Sequence, residues 1–272
     1  MLRDTLHTMG QKDRVIYTCM FGHSEPFADW PIEVDAKTDA ICFTDDRSLT
    51  SKHWQFRYVD SPSLGPVRTS KMVKILAHEF VAPYDLSLYI DNRVEPKVNL
   101  DRIFRYLHDS LEPMVVFRHP ERCCIYAEAQ VVIDWKIDAP GTVSKQMDEY
   151  RRLGHPENAG LIAGSMILRR HNDPRVRTLM SAWFDEVRKY SYRDQLSFNF
   201  VARRLGFEAG YFDGKLDDNA LMNWPVEKGP RLPRAFNDAV YLALNPDVLI
   251  SGMKPREHYI KRGAAERRRW RL

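Results

Sequence analysis

The hydrophobic pattern of the first half switches between two periods. Residues 14–21 (RVIYTCMF) form a β-rich run stopped by Gly22, residues 39–44 (DAICFT) a second stopped by Asp45-Asp46, and residues 54–59 (WQFRYV) alternate like a half-buried third strand. Residues 68–81 place Met72, Val73, Ile75, Leu76 and Phe80 on an apolar face, with Pro83 just beyond, and the spacing predicts a helix. Residues 86–90 (LSLYI) read as a buried strand ending at Asp91-Asn92-Arg93, residues 99–111 as a helix and residues 114–117 as a strand. Strands separated by helices, each ending in polar residues, predict an α/β fold with an open, mostly parallel sheet flanked by helices. Ligands of such sheets bind beyond the carboxyl ends of the strands. That rule aligns Phe21-Gly22, Thr44-Asp45-Asp46, Asp91-Asn92-Arg93 and Arg118-His119 along one rim.

The second half is more helical. Residues 122–137 and 143–153 are amphipathic, residues 161–168 form an apolar strand-like run, and residues 173–204 carry two helices with a break near Ser191-Tyr192. From Pro233 onward the pattern predicts a short helix, a turn at Asn245-Pro246 and a second helix. The expected organisation is a main domain over residues 1–230 and a small helical appendage over residues 231–272. The junction falls in the Pro-, Gly- and charge-rich residues 224–234.

Composition narrows the class. With 44% hydrophobic and 29% charged residues in 272, the chain can bury a full core. No apolar run reaches the roughly 18–20 residues of a membrane span, and residues 1–10 lack the apolar stretch of a signal peptide. Cys19, Cys42, Cys123 and Cys124 form neither a C-x-x-C pair nor a disulfide framework, so reduced thiols and a cytoplasmic location are expected. The net charge of +4 comes from the end of the chain: residues 261–272 hold six Lys and Arg against Glu266, so the remainder carries −1. A basic tail on a neutral body argues against nucleic acid as partner. It suits a solvated terminus or a peripheral contact with an acidic lipid surface.

Phosphate-loop, dinucleotide, zinc-protease and serine-hydrolase motifs are absent from the sequence. What remains is a basic helix leading into an acidic strand end. Arg68, Lys71, Lys74 and His78 are three, three and four residues apart and share one helical face before the strand that ends at Asp91. Cations beside a carboxylate suit a nucleoside diphosphate, and the same spacing describes a solvated helix face. Both readings stay open on pattern alone.

An ordered series of blocks then matters: Arg68-x-x-Lys71-x-x-Lys74 with His78-x-Phe80 and Tyr84; Ser87-Leu-Tyr-Ile-Asp91; His119-Pro120-x-Arg122 with Ile125-Tyr126-x-Glu128-Ala129; Gln146-x-x-x-Tyr150-x-x-x-Gly154; and Trp183-x-x-Glu186 with Ser191-x-Arg193-Asp194-Gln195-Leu196-Ser197-Phe198. This series, over residues 15–206, resembles the glycosyltransferase-like domains of plant proteins of pollen turgor and seed mucilage and of many bacteria, long called DUF616. Phe236-x-x-x-x-Tyr241-Leu-x-x-Asn245-Pro-Asp-Val248, followed by His258-Tyr259-x-x-x-Gly263-x-x-Glu266-x-Arg268, is similar to a short repeat appended to bacterial glycosyltransferases and surface-polysaccharide proteins. The resemblance implies a GT-A type, Rossmann-like fold, a nucleotide-sugar donor with UDP favoured over GDP, and a glycan acceptor. It implies hexosyl or uronosyl transfer in assembly of a bacterial surface glycan.

A GT-A enzyme carries Asp-x-Asp where this chain has Asp91-Asn92-Arg93. Loss of the second carboxylate removes a hard oxygen ligand, so Mn²⁺ or Mg²⁺ on Asp91 and a metal-free site with Arg93 as the charge partner are equally open. By the same resemblance Asp45 would meet uracil, with Tyr17 and Phe21 nearby, and Arg68, Lys71, Lys74, Asp91, Asn92, Arg93 and Arg193 would hold the donor. Asp194 is the first candidate for deprotonating the acceptor, in a block with Gln195, and Glu128 and His119 come next. Two rivals remain: an amide hydrolase, since plant relatives have been linked to ceramidase activity, and a non-catalytic nucleotide- or glycan-binding module.

Overall fold

The computed structural model describes residues 13–22, 26–60, 63–225, 236–263, 266 and 268–271. They fall into two units, Met1–Pro225 and Val226–Leu272. The expected junction at residues 224–234 lies largely outside the described residues.

The first unit begins with β1 (Arg14–Met20), β2 (Thr38–Thr44) and β3 (Gln55–Tyr58), followed by α1 (Gly65–Ile75) and α2 (Ala77–Phe80). Next come β4 (Leu86–Ile90), β5 (Glu95–Pro96), α3 (Leu100–His108), β6 (Met114–Arg118), α4 (Ile125–Asp134) and α5 (Pro140–Arg152). The unit closes with β7 (Ile162–Arg169), α6 (Pro174–Lys189), α7 (Gln195–Leu205), β8 (Gly210–Tyr211) and β9 (Met222–Asn223).

Seven strands form one sheet in the order β3-β2-β1-β4-β7-β6-β8, and β5 pairs with β9 beside it. The pairs β1/β2, β1/β4, β2/β3 and β6/β8 are parallel, whereas β7 runs antiparallel to both β4 and β6. The α/β fold with an open, mostly parallel sheet flanked by helices is therefore present. Val15, Ile16 and Tyr17 of β1 are fully buried because helices cover both faces, which is why these strands read as continuous apolar runs.

Two local irregularities shape the rim of the sheet. The helix expected over residues 68–81 is split at Leu76, because the carbonyls that would continue it are taken. Buried Arg169, at the end of β7, donates to Lys74 O at 2.6 Å and Ile75 O at 3.2 Å, and Tyr17 Oη donates to Lys74 O at 2.9 Å. Those oxygens are lost to the amides four residues on. The second irregularity is a bulge in β7. Val116 of β6 pairs with Ile167, but the next residue, Phe117, pairs with Ala163. Residues 164–166 are thus extra, and the strand bends at its rim end.

The second unit holds α8 (Asp238–Leu244), α9 (Pro246–Ile250), α10 (Pro255–His258) and one π-helical turn (Tyr259–Gly263). Asn237 caps α8 through Ala239 N at 2.9 Å and Val240 N at 3.1 Å. The chain turns at Asn245 as expected, but the second helix is two short ones, interrupted at Gly252, whose φ is +69°. Phe236, Tyr241, Val248 and Tyr259 form its core. Arg268 pairs with Asp247 at 2.7 Å and Glu266 at 2.7 Å, which spends one of the tail's cations internally. No helix among the described residues is long and apolar enough to cross a membrane.

Candidate functional site

A cavity of about 670 Å³ opens where β1, β4 and β6 end, within the size range of small-molecule sites. The segment Cys19–Phe21 reaches it from β1, Asp91–Arg93 from β4, His119–Arg122 from β6 and Gly164–Ser165 from the bulge of β7. Lys71 and Lys74 enter from α1, Glu128 from α4, and Arg193–Gln195 from the turn before α7.

Its centre is a buried ion triad. Lys71 Nζ lies 3.2 Å from Asp194 Oδ1, and Lys74 Nζ lies 2.6 Å from Asp194 Oδ2, with Lys74 and Asp194 each 3% exposed. The bulge makes room for this: a Cβ on Gly164 would stand 2.8 Å from Lys74 Nζ and 3.5 Å from Asp194 Oδ2. Asp194 is fixed from behind, where its backbone carbonyl accepts from Trp183 Nε1 at 2.8 Å. Burial alone would raise its carboxyl pKa, but Lys71, Lys74 and Arg193 overcome that and hold it well below the usual carboxylate range. Burial lowers the Lys71 ammonium despite Asp194; for Lys74 the pull of Asp194 and Asp91 outweighs burial and raises it.

Beside the triad, Tyr89 Oη donates to Asp91 Oδ1 at 2.6 Å while Lys74 Nζ sits 5.2 Å from the Tyr89 ring centroid. The Asp91 amide donates to Ser165 O at 2.8 Å, which ties the end of β4 to the bulge. Arg193 N is held by Ser191 Oγ at 3.1 Å, and its guanidinium reaches Gln195 Oε1 at 3.3 Å. Gln195 in turn donates to Ile162 O at 3.1 Å. Lys71, Lys74 and Arg193 outnumber Asp91 and Asp194 in this half, and Arg93 also lines it.

The far side of the cavity is built around Glu128. Arg122 Nε donates to Glu128 Oε2 at 2.7 Å, and His119 Nε2 stands 3.8 Å from the same oxygen. His119 Nδ1 accepts the amides of Glu121 at 3.2 Å and Arg122 at 3.1 Å. Its Nε2 lies 3.2 Å from Arg122 Nη2, so the ring packs against the Arg122 guanidinium as well as beside Glu128. Burial lowers the His119 pKa, which favours the neutral ring. Glu128 Oε1 accepts no hydrogen bond among the described residues.

The structure brings Phe21, Lys71, Lys74, Asp91, Asn92, Arg93, Glu128, Arg193, Asp194 and Gln195 to one cavity and leaves three expected residues out of its lining. Tyr17 lies four residues down β1 from Phe21, about 13 Å below the rim at strand spacing; it is fully buried, and burial pushes its phenol up to about 12. Arg68 turns away to the carbonyls of Val187 at 3.3 Å and Tyr190 at 3.0 Å, at the end of α6. Asp45 accepts the Gly22 amide at 3.1 Å and holds the β1 loop. Asn92 reaches the cavity, but its side chain is a brace: Oδ1 accepts Ala28 N at 2.7 Å and Nδ2 donates to Pro26 O at 3.0 Å.

Two role assignments change. Asp194 has low proton affinity between two ammonium groups, so it is a poor base for an acceptor hydroxyl. The solvated-face reading of Lys71 and Lys74 fails, because both ammonium groups turn inward. As for a metal on Asp91, the donor set does not suit one. Asp194, Glu128 and Glu121 are paired with cations and Asn92 with the backbone, and Tyr89 takes one oxygen of Asp91, which leaves Asp91 and Asp217 among arginines and lysines where Mn²⁺ or Mg²⁺ wants several hard oxygens. No group of three or more His, Cys, Asp or Glu among the described residues is placed to hold a metal ion.

Sequence reasoning missed Gly164, Ser165, Tyr89 and Trp135. A glycine followed by serine inside an otherwise apolar strand is the one signal that pointed to the bulge.

A family model described as TOD1/MUCI70, glycosyltransferase-like domain, matches residues 3–215. The chain is 27% identical over 171 residues to a protein of Arabidopsis thaliana named probable hexosyltransferase MUCI70, over 59% of this chain and 29% of that protein. The chain thus spans less than a third of that relative's length. Among solved structures, mouse xyloside xylosyltransferase 1 is similar with a TM-score of 0.47 and 10% identity, over 75% of this chain and 85% of the other. The bifunctional glycosyltransferase WbbM gives a TM-score of 0.43 and 10% identity, over 76% and 40%.

Proposed function

Because the chain belongs to the TOD1/MUCI70 glycosyltransferase-like family, we propose that it transfers a glycosyl group from a nucleoside diphosphate sugar to a carbohydrate hydroxyl. The observation that carries this reading is the cluster of Lys71, Lys74 and Arg193, brought from α1 and the turn before α7 to the ends of β1 and β4. In glycosyl transfer the bond from the anomeric carbon to the diphosphate breaks, and its electron pair leaves with the diphosphate. Lys71, Lys74, Arg93 and Arg193 are the groups that would meet that developing charge, already fixed in position before the reaction. Asp194 holds the two lysines in place. The acceptor oxygen bonds to the anomeric carbon, and its proton goes to Glu128, whose Oε1 is open while Arg122 holds Oε2. No step passes through a metal. The likeness of residues 236–268 to repeats of surface-polysaccharide enzymes supports a surface glycan as acceptor.

The test is thermal denaturation with UDP, GDP and their sugars, in EDTA and then with Mn²⁺. A ligand at 100 times its Kd stabilises by about 2.7 kcal/mol, or roughly 5–10 °C for a domain of this size. A shift in EDTA with one nucleotide series is expected, with release of that diphosphate falling about 10²–10⁴-fold in Glu128→Gln. A shift seen only with Mn²⁺ would reject the metal-free site, and no shift with any nucleotide would reject the donor. Nucleotide binding with no diphosphate release would leave a binding module.

A further inference from the structure

The α4 side of the cavity presents an indole that the donor site does not use. Trp135 lines the cavity with Val131 and Ile137, yet it is 74% exposed. Its position is held from several directions. The amides of Lys136 and Ile137 return to the carbonyls of Ile133 at 3.0 Å and Val132 at 2.9 Å, a Schellman closure of α4. Lys136 takes φ +53°, a left-handed conformation that a side chain adopts only when the turn requires it. Beyond it, Ile137 O accepts the Tyr192 hydroxyl, and Asp138 Oδ2 accepts Ser191 Oγ at 2.6 Å and Tyr192 N at 3.1 Å. The backbone just after the exposed ring is thereby tied to the same turn that delivers Arg193 and Asp194.

Trp135 stands seven residues after Glu128, so both lie on one face of α4 about 10 Å apart along its axis, and the indole flanks the carboxylate assigned to the acceptor's proton. A flat, half-apolar surface in a cavity that carboxylates also line suits a ligand with an apolar face and a hydroxyl edge. A pyranose ring has that form: its axial C–H bonds can lie on the indole while its hydroxyls donate to Glu121 and Asp217, which also line the cavity.

We infer that Trp135 is the stacking platform for a pyranose ring, and that this ring belongs to the acceptor. The second half of the inference rests on the glycosyl-transfer reading. Saturation-transfer NMR on the full chain with millimolar cellobiose and lactose tests it, alongside calorimetry with UDP and GDP. Saturation of ring C–H protons is expected with the unaltered chain, cut at least tenfold in Trp135→Ala and largely kept in Trp135→Phe. The nucleotide Kd should stay within twofold in both variants, and Tm within about 2 °C, since the ring is exposed. Sugar contacts that are absent, or that survive Trp135→Ala, would overturn the platform. A tenfold loss of nucleotide affinity in Trp135→Ala would put a nucleobase on the indole and overturn it too. Sugar contacts through Trp135 with no nucleotide binding would leave the platform standing and remove the glycosyl-transfer reading.

Discussion

Two ammonium groups close on one buried carboxylate at the start of α7, and the pairing must act on stability as well as on substrate. Asp194→Asn strips both lysines of their counter-charge inside the protein, and loss of one partner from a buried pair costs about 3–5 kcal/mol. Chemical denaturation should show that loss at neutral pH. The pH dependence has a definite sign. The folded Asp194 carboxyl lies below its unfolded value of about 3.9, so its contribution is full above that value and drains away as pH falls below it. The Tm gap between the unaltered chain and Asp194→Asn should therefore narrow below about pH 4. A gap constant down to pH 2 would mean the carboxylate is not what stabilises the turn. Lys71, Lys74 and Asp194 were each legible from spacing and from the Arg-Asp-Gln-Leu-Ser-Phe block, but not as partners. Lys71 and Asp194 are 123 residues apart, and only the packing of α1 against α6, and of α6 against α7, joins them. Tyr17 and Arg68 failed for the same reason in reverse. Polarity marked them, while depth along β1 and the open carbonyls of α6 decided where they point.

Among the elements, β7 does the most to shape the site and was the hardest to read. Its apolar run announces a buried strand, but period-two alternation is the same in either direction, so neither its antiparallel course nor its bulge was visible. The split of α1 from α2 was equally hidden, because the guanidinium that captures the Lys74 carbonyl comes from 95 residues away. Gly164 is where the bulge touches function. Gly164→Ala drives a methyl group into the space of the Lys74 ammonium, and overpacking of this kind costs about 1–3 kcal/mol. Urea denaturation should register that loss. Calorimetry should register a weaker nucleotide, because Lys74 can make way only by leaving Asp194. Stability lost with nucleotide affinity unchanged would show that Lys74 does not contact the donor.

At the scale of the whole chain, the division of labour stems from where the lining residues lie. Every residue that lines the cavity precedes residue 226, and the second unit has its own small core of Phe236, Tyr241, Val248 and Tyr259. The change of pattern after Pro233 made that core legible. Its internal geometry was not, because it depends on contacts such as the hydrogen bond between Tyr241 Oη and His258 Nδ1 at 2.9 Å, packed against Gly263. A Cβ at Gly263 would collide with the Tyr241 hydroxyl and stand 3.3 Å from His258 Nδ1. Gly263→Ala is thus a lesion confined to the second unit. Hydrogen exchange should show amides of residues 238–258 losing protection while those of β1 and β4 keep theirs. Nucleotide affinity should stay within twofold. If it falls with the protection of residues 238–258, the appendage is part of the donor site, and the charge cluster at the ends of β1 and β4 is not sufficient by itself.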